Sequence, residues 1–423
     1  MDKMDGQGIH QSWLNRGHVA AAYGVFAVYA GVFALVARGY DQTWAIWAAA
    51  GYALGAAATW RWGVSVRTLA LAVVGSIVIP LIGFDAGPFT DGMVVIARSA
   101  ALVVHYGTPY LPIGRATSWL GYDPYLPAMS VFGLPKAAGL AGAIGNPALW
   151  LALVSTAVFG AAFWIAAPHP VVDCGTCRNE ALRRTLFAMA TPVVALNVAI
   201  TTTDPPVLAL MLLALAFAGQ PARWRAAGIA LGFACAMKAT AWLAIPVVAT
   251  MFWTRDSPRA AVRFAISALA TVAGLIAVIA PAALTDRVIA ENTILFPLGL
   301  AHDPTPAQSL LPGHLLAASG PYGRTIAVGL LFAAGMAVVI SLIARPPLDV
   351  PGVCYRLAIG LSAMFLFGPA ERFGYFMYPL GLLGWAWLVR TRQAAEPADV
   401  EDDVMALLSE FPRQRAPAIT RDD

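Results

Sequence analysis

Residues 19–36 read VAAAYGVFAVYAGVFALV, eighteen consecutive residues without a charged side chain. A stretch of this length and composition can cross the hydrocarbon core of a bilayer as an α-helix. Similar apolar runs recur along the chain as far as Val389. Because lipid offers no hydrogen-bond partner to a peptide group, each run must satisfy its own backbone bonds as a helix. The sequence therefore predicts an all-α fold, a polytopic transmembrane helical bundle.

The overall composition excludes a soluble globular domain. Of the 423 residues, 59% are hydrophobic and 12% are charged, and the mean hydropathy is +0.69. A soluble domain has about 25% charged residues. The net charge of +4 comes mostly from arginines in connecting loops, where positive charge indicates membrane topology. We therefore expect membrane lipids around the protein and no nucleic-acid partner.

The positions of the arginines predict the topology, because positive residues near short loops mark the cytoplasmic side. They indicate about twelve spans, with both termini in the cytoplasm. Cytoplasmic arginines flank both ends of residues 226–253, so this stretch should form two short helices that meet near Lys238. The spans are predicted at about residues 19–37, 44–58, 69–84, 148–167, 186–202 and 207–218, as two short helices within 226–253, at 264–284, and as three more between 322 and 389.

Three parts of the chain follow from this topology. The membrane domain is predicted at residues 19–389, after a cytoplasmic N-terminal segment at residues 1–18. The polar start and the length of the first apolar run predict a retained anchor, not a cleaved signal peptide. Residues 390–423 show no spanning or core pattern, so a disordered cytoplasmic tail is expected. The protein is thus predicted to be a multi-pass protein of the cell membrane.

Two long segments, residues 85–147 and 285–322, fall on the extracytoplasmic side. Connections in helical bundles are usually short, so segments of this length suggest a function. In the first, Thr90-Asp91-Gly92 precedes an apolar run over Met93–Tyr106, which is too short to span but suited to an interfacial helix. Asp91 has two open interpretations: it caps this helix, or it acts as a general base toward a substrate hydroxyl.

Several short motifs occur in an order and on membrane sides that suggest a family. They are Thr90-Asp91, Gly107-Thr108-Pro109-Tyr110, Tyr122-Asp123-Pro124-Tyr125-Leu126-Pro127, Phe132-Gly133-Leu134-Pro135, Asp204-Pro205-Pro206, Ala236-Met237-Lys238-Ala239-Thr240, Phe296-Pro297-Leu298-Gly299, Leu311-Pro312-Gly313-His314 and Arg372-Phe373-Gly374-Tyr375-Phe376-Met377-Tyr378-Pro379. From about Asp91 to Leu382, the chain resembles the membrane glycosyltransferases of the C superfamily (GT-C), and among them the polyprenyl-phosphate-mannose-dependent mannosyltransferases. Asp91 matches the catalytic aspartate of that family.

The resemblance implies a GT-C-like bundle that transfers a sugar, mannose in that family, from a polyprenyl phosphate to an extracytoplasmic lipid or glycan acceptor. Asp91 would act as the general base on an acceptor hydroxyl, with inversion at the anomeric carbon. The candidate donor-phosphate residues are Lys238, Arg372 and His314, and the candidate acceptor or sugar contacts are Asp204, Tyr110, Asp123 and Tyr125. The phosphate is already an adequate leaving group without a nucleotide-binding domain, so no cofactor is expected and no divalent metal is required.

These residues also have structural interpretations that the sequence leaves open. Lys238 could extend from a short helix toward water, and Arg372 could pair with Glu371 or with lipid headgroups. Asp204 could cap the helix that follows it. A histidine in an outer loop and aromatic residues near a membrane interface are both common without any ligand.

The sequence also raises a possible metal site and two alternative functions. Cys174 and Cys177 form a lone C-x-x-C beside His169, which lacks the second ligand pair of a zinc site. A secondary transporter is the main rival, because broken helices near polar residues also describe that class. The carboxylates, however, cluster in outer loops, the two halves share no pattern, and no partner for Lys238 is evident within the spans. A non-catalytic envelope scaffold is a third alternative.

Overall fold

The computed structural model of the protein describes residues 15–84, 90–112, 114–116, 118–167, 174–284, 288–303 and 305–393. All regular secondary structure in these ranges is helical, which confirms the all-α prediction. Most of the predicted N-terminal segment, His169 and the tail beyond residue 393 lie outside the described residues.

Many consecutive helices are joined by only a few residues, but the described stretches 296–303 and 305–311 contain no helix. The α-helices of the described ranges are α1 (Arg16–Val36), α2 (Gly39–Trp62), α3 (Val66–Val73), α4 (Ile79–Phe84), α5 (Asp91–Tyr106), α6 (Leu134–Ala137), α7 (Gly142–Gly145), α8 (Pro147–Ala166), α9 (Cys174–Met189), α10 (Pro192–Ala199), α11 (Asp204–Ala218), α12 (Trp224–Met237), α13 (Ala244–Arg255), α14 (Pro258–Ile279), α15 (Val288–Ala290), α16 (Pro312–Ala318), α17 (Pro321–Ala344), α18 (Val350–Phe367) and α19 (Met377–Gln393). The 3₁₀ helices cover Trp119–Gly121, Pro127–Gly133, Ala239–Leu243, Pro281–Leu284 and Phe373–Phe376, and π-helical turns cover Val74–Val78 and Glu291–Leu295.

Long apolar helices support an integral membrane protein. Within the described residues, six helical stretches are long and apolar enough to cross a membrane, namely Arg16–Val36, Val66–Gly83, Pro147–Ala166, Pro258–Ile279, Pro321–Ala344 and Val350–Phe367. Two further apolar helices, α11 and α12, are shorter. The number of about twelve spans stays a prediction.

The predicted span over residues 186–202 is wrong. The structure divides this stretch between the end of α9 and the eight-residue α10. Pro192 lies in the first turn of α10, and Thr191 before it has an extended backbone with φ −61° and ψ 135°. A residue before proline avoids the helical conformation, and proline has no N–H for a helical hydrogen bond, so one continuous helix cannot form here.

Helix α5 begins at Asp91, which confirms the helix predicted in the first outer segment. Thr90, with an extended backbone, is the N-cap residue, so the interpretation of Asp91 as the cap is wrong. Asp91 is instead the first helical residue, where a carboxylate still interacts favourably with the helix dipole. Gly107 ends the helix with φ +68°, a left-handed conformation that glycine adopts without strain.

The helices that carry the polar residues pack closely together. Helix α11 is buried along nearly its whole length and packs against α8 and α12, while α12 packs against α14. A Cβ atom at Gly232 of α12 would lie 2.7 Å from the carbonyl oxygen of Ala268 in α14. Such an approach requires a residue without a side chain, as is common where membrane helices meet.

The predicted break near Lys238 is confirmed. Helix α12 ends at Met237, a 3₁₀ helix begins at Ala239, and Lys238 between them has an extended backbone with φ −151° and ψ 137°. The N–H of Leu126 donates to the carbonyl of Met237 at 2.9 Å. The segment around Leu126 is therefore held at the break, next to Lys238.

Candidate functional site

Lys238 forms a buried ion pair with Asp204. The ammonium group donates to Asp204 Oδ1, and the two side chains are 12% and 5% exposed. Asp204 is the first residue of α11, and Thr203 is the N-cap residue. The interpretations of Asp204 as a cap and of Lys238 as a lysine extending to water are therefore wrong. Lys238 has a partner in the bundle that the sequence analysis did not find.

Tyrosine side chains surround this ion pair. The Tyr378 hydroxyl donates to Asp204 Oδ1 at 2.8 Å. Lys238 Nζ lies 4.7 Å from the centroid of the Tyr375 ring and 5.9 Å from that of Tyr125. A cation is attracted to the face of an aromatic ring. Among the described residues, the ammonium group donates only to Asp204, so two of its three N–H donors remain for a ligand.

A second carboxyl group, Glu371, lies next to the ion pair in the loop that follows α18. Burial raises the pKa of Glu371 to about 8; Lys238 acts in the opposite direction and Asp204 adds to the increase. Glu371 therefore carries a proton at neutral pH. Arg372 is exposed, and within the described part of the chain it forms no ion pair with Glu371, so the suggested pairing of these neighbours is wrong.

Asp91 lies beside the same cluster. A Cβ atom on the adjacent Gly92 would be 3.3 Å from the Tyr125 hydroxyl oxygen and 3.5 Å from Thr203 Cγ2. The start of α5 thus packs against the start of α11 and against the tyrosine that faces Lys238. Asp91 is exposed, and its carboxylate has no hydrogen bond or ion pair to any residue of the described ranges. It is available to a ligand.

Asp123 supports the loop that carries Tyr125. Its carboxylate accepts from Ser99 Oγ at 2.6 Å and from the Tyr125 N–H at 2.9 Å, and its own N–H donates to Asn292 Oδ1 at 2.7 Å. Burial raises the pKa of Asp123 to about 6, while these hydrogen bonds from Ser99 and Tyr125, and the charge of Arg98, partly oppose the increase. Asp123 thereby connects its own segment to the one that carries Asn292.

Tyr110 supports the same loop from the other side. It is 1% exposed, and its hydroxyl donates to the carbonyl of Tyr125 at 2.9 Å. Asp123 is also buried, at 3% exposure. Neither side chain is open to a sugar, which corrects the expectation that Tyr110 and Asp123 contact the acceptor. Both instead position Tyr125.

The stretch from Ser309 to His314 packs against the loop that carries Glu371. His314 Nδ1 lies 3.2 Å from the carbonyl oxygen of Pro369. The N–H of Ser309 donates to the carbonyl of Glu371 at 3.1 Å, and the N–H of Phe373 donates to Ser309 Oγ at 3.1 Å. These bonds fix the loop. His314 and Arg372 therefore lie next to Glu371 and not in the ion pair itself.

The structure thus brings Asp204, Lys238 and Tyr125 together, with Asp91 at the border of the cluster. Tyr375 and Tyr378 are members of the cluster that the sequence did not lead us to expect, although both lie in the Arg372–Pro379 motif. The signal available was a run of aromatic residues directly after two charged residues at the end of an apolar helix. Nothing local indicated which charge these rings would meet.

In chemical terms, the cluster contains one buried cation, one ionised partner and one neutral acid, with a free carboxylate beside it. Such a set can bind an anion and accept a proton from a neighbouring hydroxyl. Comparison of the chain with models of known protein families, with curated proteins and with solved structures gives no match. The function must therefore be inferred from the residues of this chain and their geometry.

Proposed function

We propose that the chain is an integral membrane glycosyltransferase that moves a sugar from a polyprenyl-phosphate donor to a lipid or glycan acceptor. Mannose is the sugar that the resemblance to the GT-C family favours. The observation that carries the proposal is the position of Asp91, an exposed carboxylate at the start of α5, where the adjacent Gly92 packs against Tyr125 and Thr203 of the cluster around Lys238. A carboxylate can act as a general base, and an ammonium group can bind a phosphate.

In the proposed reaction, Asp91 takes the proton of an acceptor hydroxyl, and the hydroxyl oxygen attacks the anomeric carbon of the sugar. The bond from that carbon to the phosphate oxygen breaks, and its electron pair stays on the phosphate. Attack from the face opposite the phosphate inverts the configuration. Lys238 stabilises the negative charge of the leaving phosphate, an electrostatic contribution that is large in a site of low polarity. The scheme requires no cofactor.

Asp204 and Tyr378 have a supporting role in this proposal. They hold the ammonium group of Lys238 at one position while two of its N–H donors stay free. Arg372, which follows Glu371 in the chain, and His314, which contacts Pro369 of the same loop, are proposed as further contacts to the donor headgroup. The distribution of arginines supports a site on the extracytoplasmic side, with both termini in the cytoplasm.

A transfer assay in membranes tests the proposal. Membranes from cells that express the protein, and from cells that do not, are incubated with radiolabelled polyprenyl-phosphate mannose, and lipid and glycan products are separated. We expect a labelled product only where the protein is present. Absence of any product, across several lipid-linked sugars, would contradict the proposal.

A secondary transporter is the second candidate, and the Lys238–Asp204 pair favours it. Buried charged pairs and proton-carrying acids such as Glu371 are typical of transport pathways. Sealed proteoliposomes separate the two candidates. Uptake of a sugar phosphate driven by a pH gradient, without formation of a transfer product, would favour the transporter. Such a function gives no role to Asp91.

A further inference from the structure

Glu371 has no part in the reaction described so far. Its carboxyl group has no hydrogen bond or ion pair to any residue that the structure describes, yet it lies within electrostatic range of Lys238 and Asp204. An acid without a partner beside a buried ion pair is costly unless it is neutral or binds something. The Glu371 carboxyl group is therefore expected to be neutral or to bind a ligand.

The surrounding loop holds Glu371 in place. The backbone carbonyl of Glu371 accepts from Ser309, which in turn is bonded to Phe373. The side chain lies against Gly368, where an added Cβ atom would be 2.6 Å from both Glu371 Cγ and Oε1. The position of the carboxyl group is thus determined by packing, with Tyr375 four residues further on facing Lys238.

The charges of the cluster determine what could bind there. Asp204 already neutralises Lys238, so an incoming phosphate would meet a neutral pair and not a free cation. An ionised Glu371 would repel that phosphate, whereas a protonated Glu371 can donate a hydrogen bond to it. Tyr375, on the same segment, also interacts electrostatically with Glu371; Arg372 is its neighbour in sequence, and His314 of α16 contacts the carbonyl of Pro369, two residues earlier.

We propose that Glu371 is a second phosphate-binding residue beside Lys238, and that its neutral carboxyl group donates a hydrogen bond to a phosphate oxygen of the donor. The inference rests on the proposed use of a polyprenyl-phosphate donor and adds the group that completes its phosphate site. Burial supports it, because the raised pKa of Glu371, about 8, keeps the acid protonated at neutral pH. Binding should be lost as the pH rises through that value.

Binding of polyprenyl phosphate, measured without any acceptor, tests this inference. The full-length protein in nanodiscs of zwitterionic lipid is titrated with a short-chain polyprenyl phosphate at several pH values between about 6.5 and about 9.5, a range that brackets the pKa of Glu371. The parent polyprenol serves as the ligand without phosphate. For the wild type, we expect affinity to fall by about ten- to a hundred-fold from the acidic to the alkaline end.

Three variants test whether Glu371 causes this pH dependence. Glu371→Gln keeps a donor that cannot ionise, so it should bind as the wild type does at neutral pH and lose the pH dependence. Glu371→Leu should bind weakly at every pH. Glu180→Gln, the same change in the Glu180–Arg184 pair of α9, should behave as the wild type.

The outcomes separate this inference from the function on which it rests. Unchanged pH dependence in Glu371→Gln, or wild-type affinity in Glu371→Leu, overturns the role of Glu371 and leaves the glycosyltransferase proposal standing. If the wild type binds polyprenyl phosphate no better than polyprenol at any pH, both proposals fail.

Discussion

Removing one partner of the Lys238–Asp204 pair should destabilise the bundle more than removing both. In Asp204→Leu, the ammonium group of Lys238 stays buried without a counter-ion, and the Tyr378 hydroxyl loses its acceptor. Breaking a buried pair from one side typically costs about 3–5 kcal/mol, whereas replacing both partners by apolar residues is often neutral. Lys238→Met should cost a similar amount, and the double variant should regain most of the loss.

Thermal unfolding of the purified protein in detergent measures this order, with the fraction that remains monodisperse after heating as the readout. Asp256→Leu is the control, because the Arg255–Asp256 pair is about 30% exposed and such pairs contribute about 0–1 kcal/mol. If the two single substitutions have small effects that simply add in the double variant, the pair is not buried as described. A stable double variant should still transfer no sugar, because Lys238 is no longer present to stabilise the charge of the leaving phosphate.

Three further substitutions test the packing and the polar contacts. Tyr378→Phe should cost about 1.5–3 kcal/mol by removing a hydrogen bond to a charged group, measured by the same unfolding assay. Gly51→Ala should destabilise by about 1–3 kcal/mol, since its Cβ would lie 2.6 Å from the Cα of Gly75, whereas Gly24→Ala, with open space around it, should be tolerated. Asp123 binds its proton more tightly in the folded protein than in the unfolded chain. The protonated side chain therefore stabilises the fold by about 2–3 kcal/mol below about pH 4, and this stabilisation is lost as the pH rises through 6. The melting temperature of Asp123→Asn should not show this decline.

Features that depend on local sequence could be predicted. The start of α5 follows from the polar residues before an apolar run, and the break at Lys238 follows from the arginines on both sides of a stretch too long for one span and too short for two full ones. The proline that divides residues 186–202 was also a local signal, and the run of apolar residues around Pro192 concealed it.

The partners within the site could not be predicted in this way. Lys238 and Asp204 are 34 residues apart, and Tyr378 lies 174 residues from Asp204. Such contacts depend on how α11, α12 and α19 pack, which no periodicity of one segment specifies. The burial of Tyr110 and Asp123 has the same origin, because it arises where the segment around Leu126 is held at the α12 break.

The transfer rate of Asp91→Asn, compared with that of Asp349→Asn, tests the central claim most directly. Asparagine keeps the shape of aspartate at the start of a helix but cannot accept a proton, and Asp349 caps α18 through the N–H of Gly352, a contact that asparagine preserves. We predict that Asp91→Asn lowers transfer from polyprenyl-phosphate mannose by about 10²- to 10⁴-fold at unchanged expression and melting temperature, while Asp349→Asn stays near wild type. Near-normal transfer by Asp91→Asn would contradict the account, because Asp91 would then not be the base.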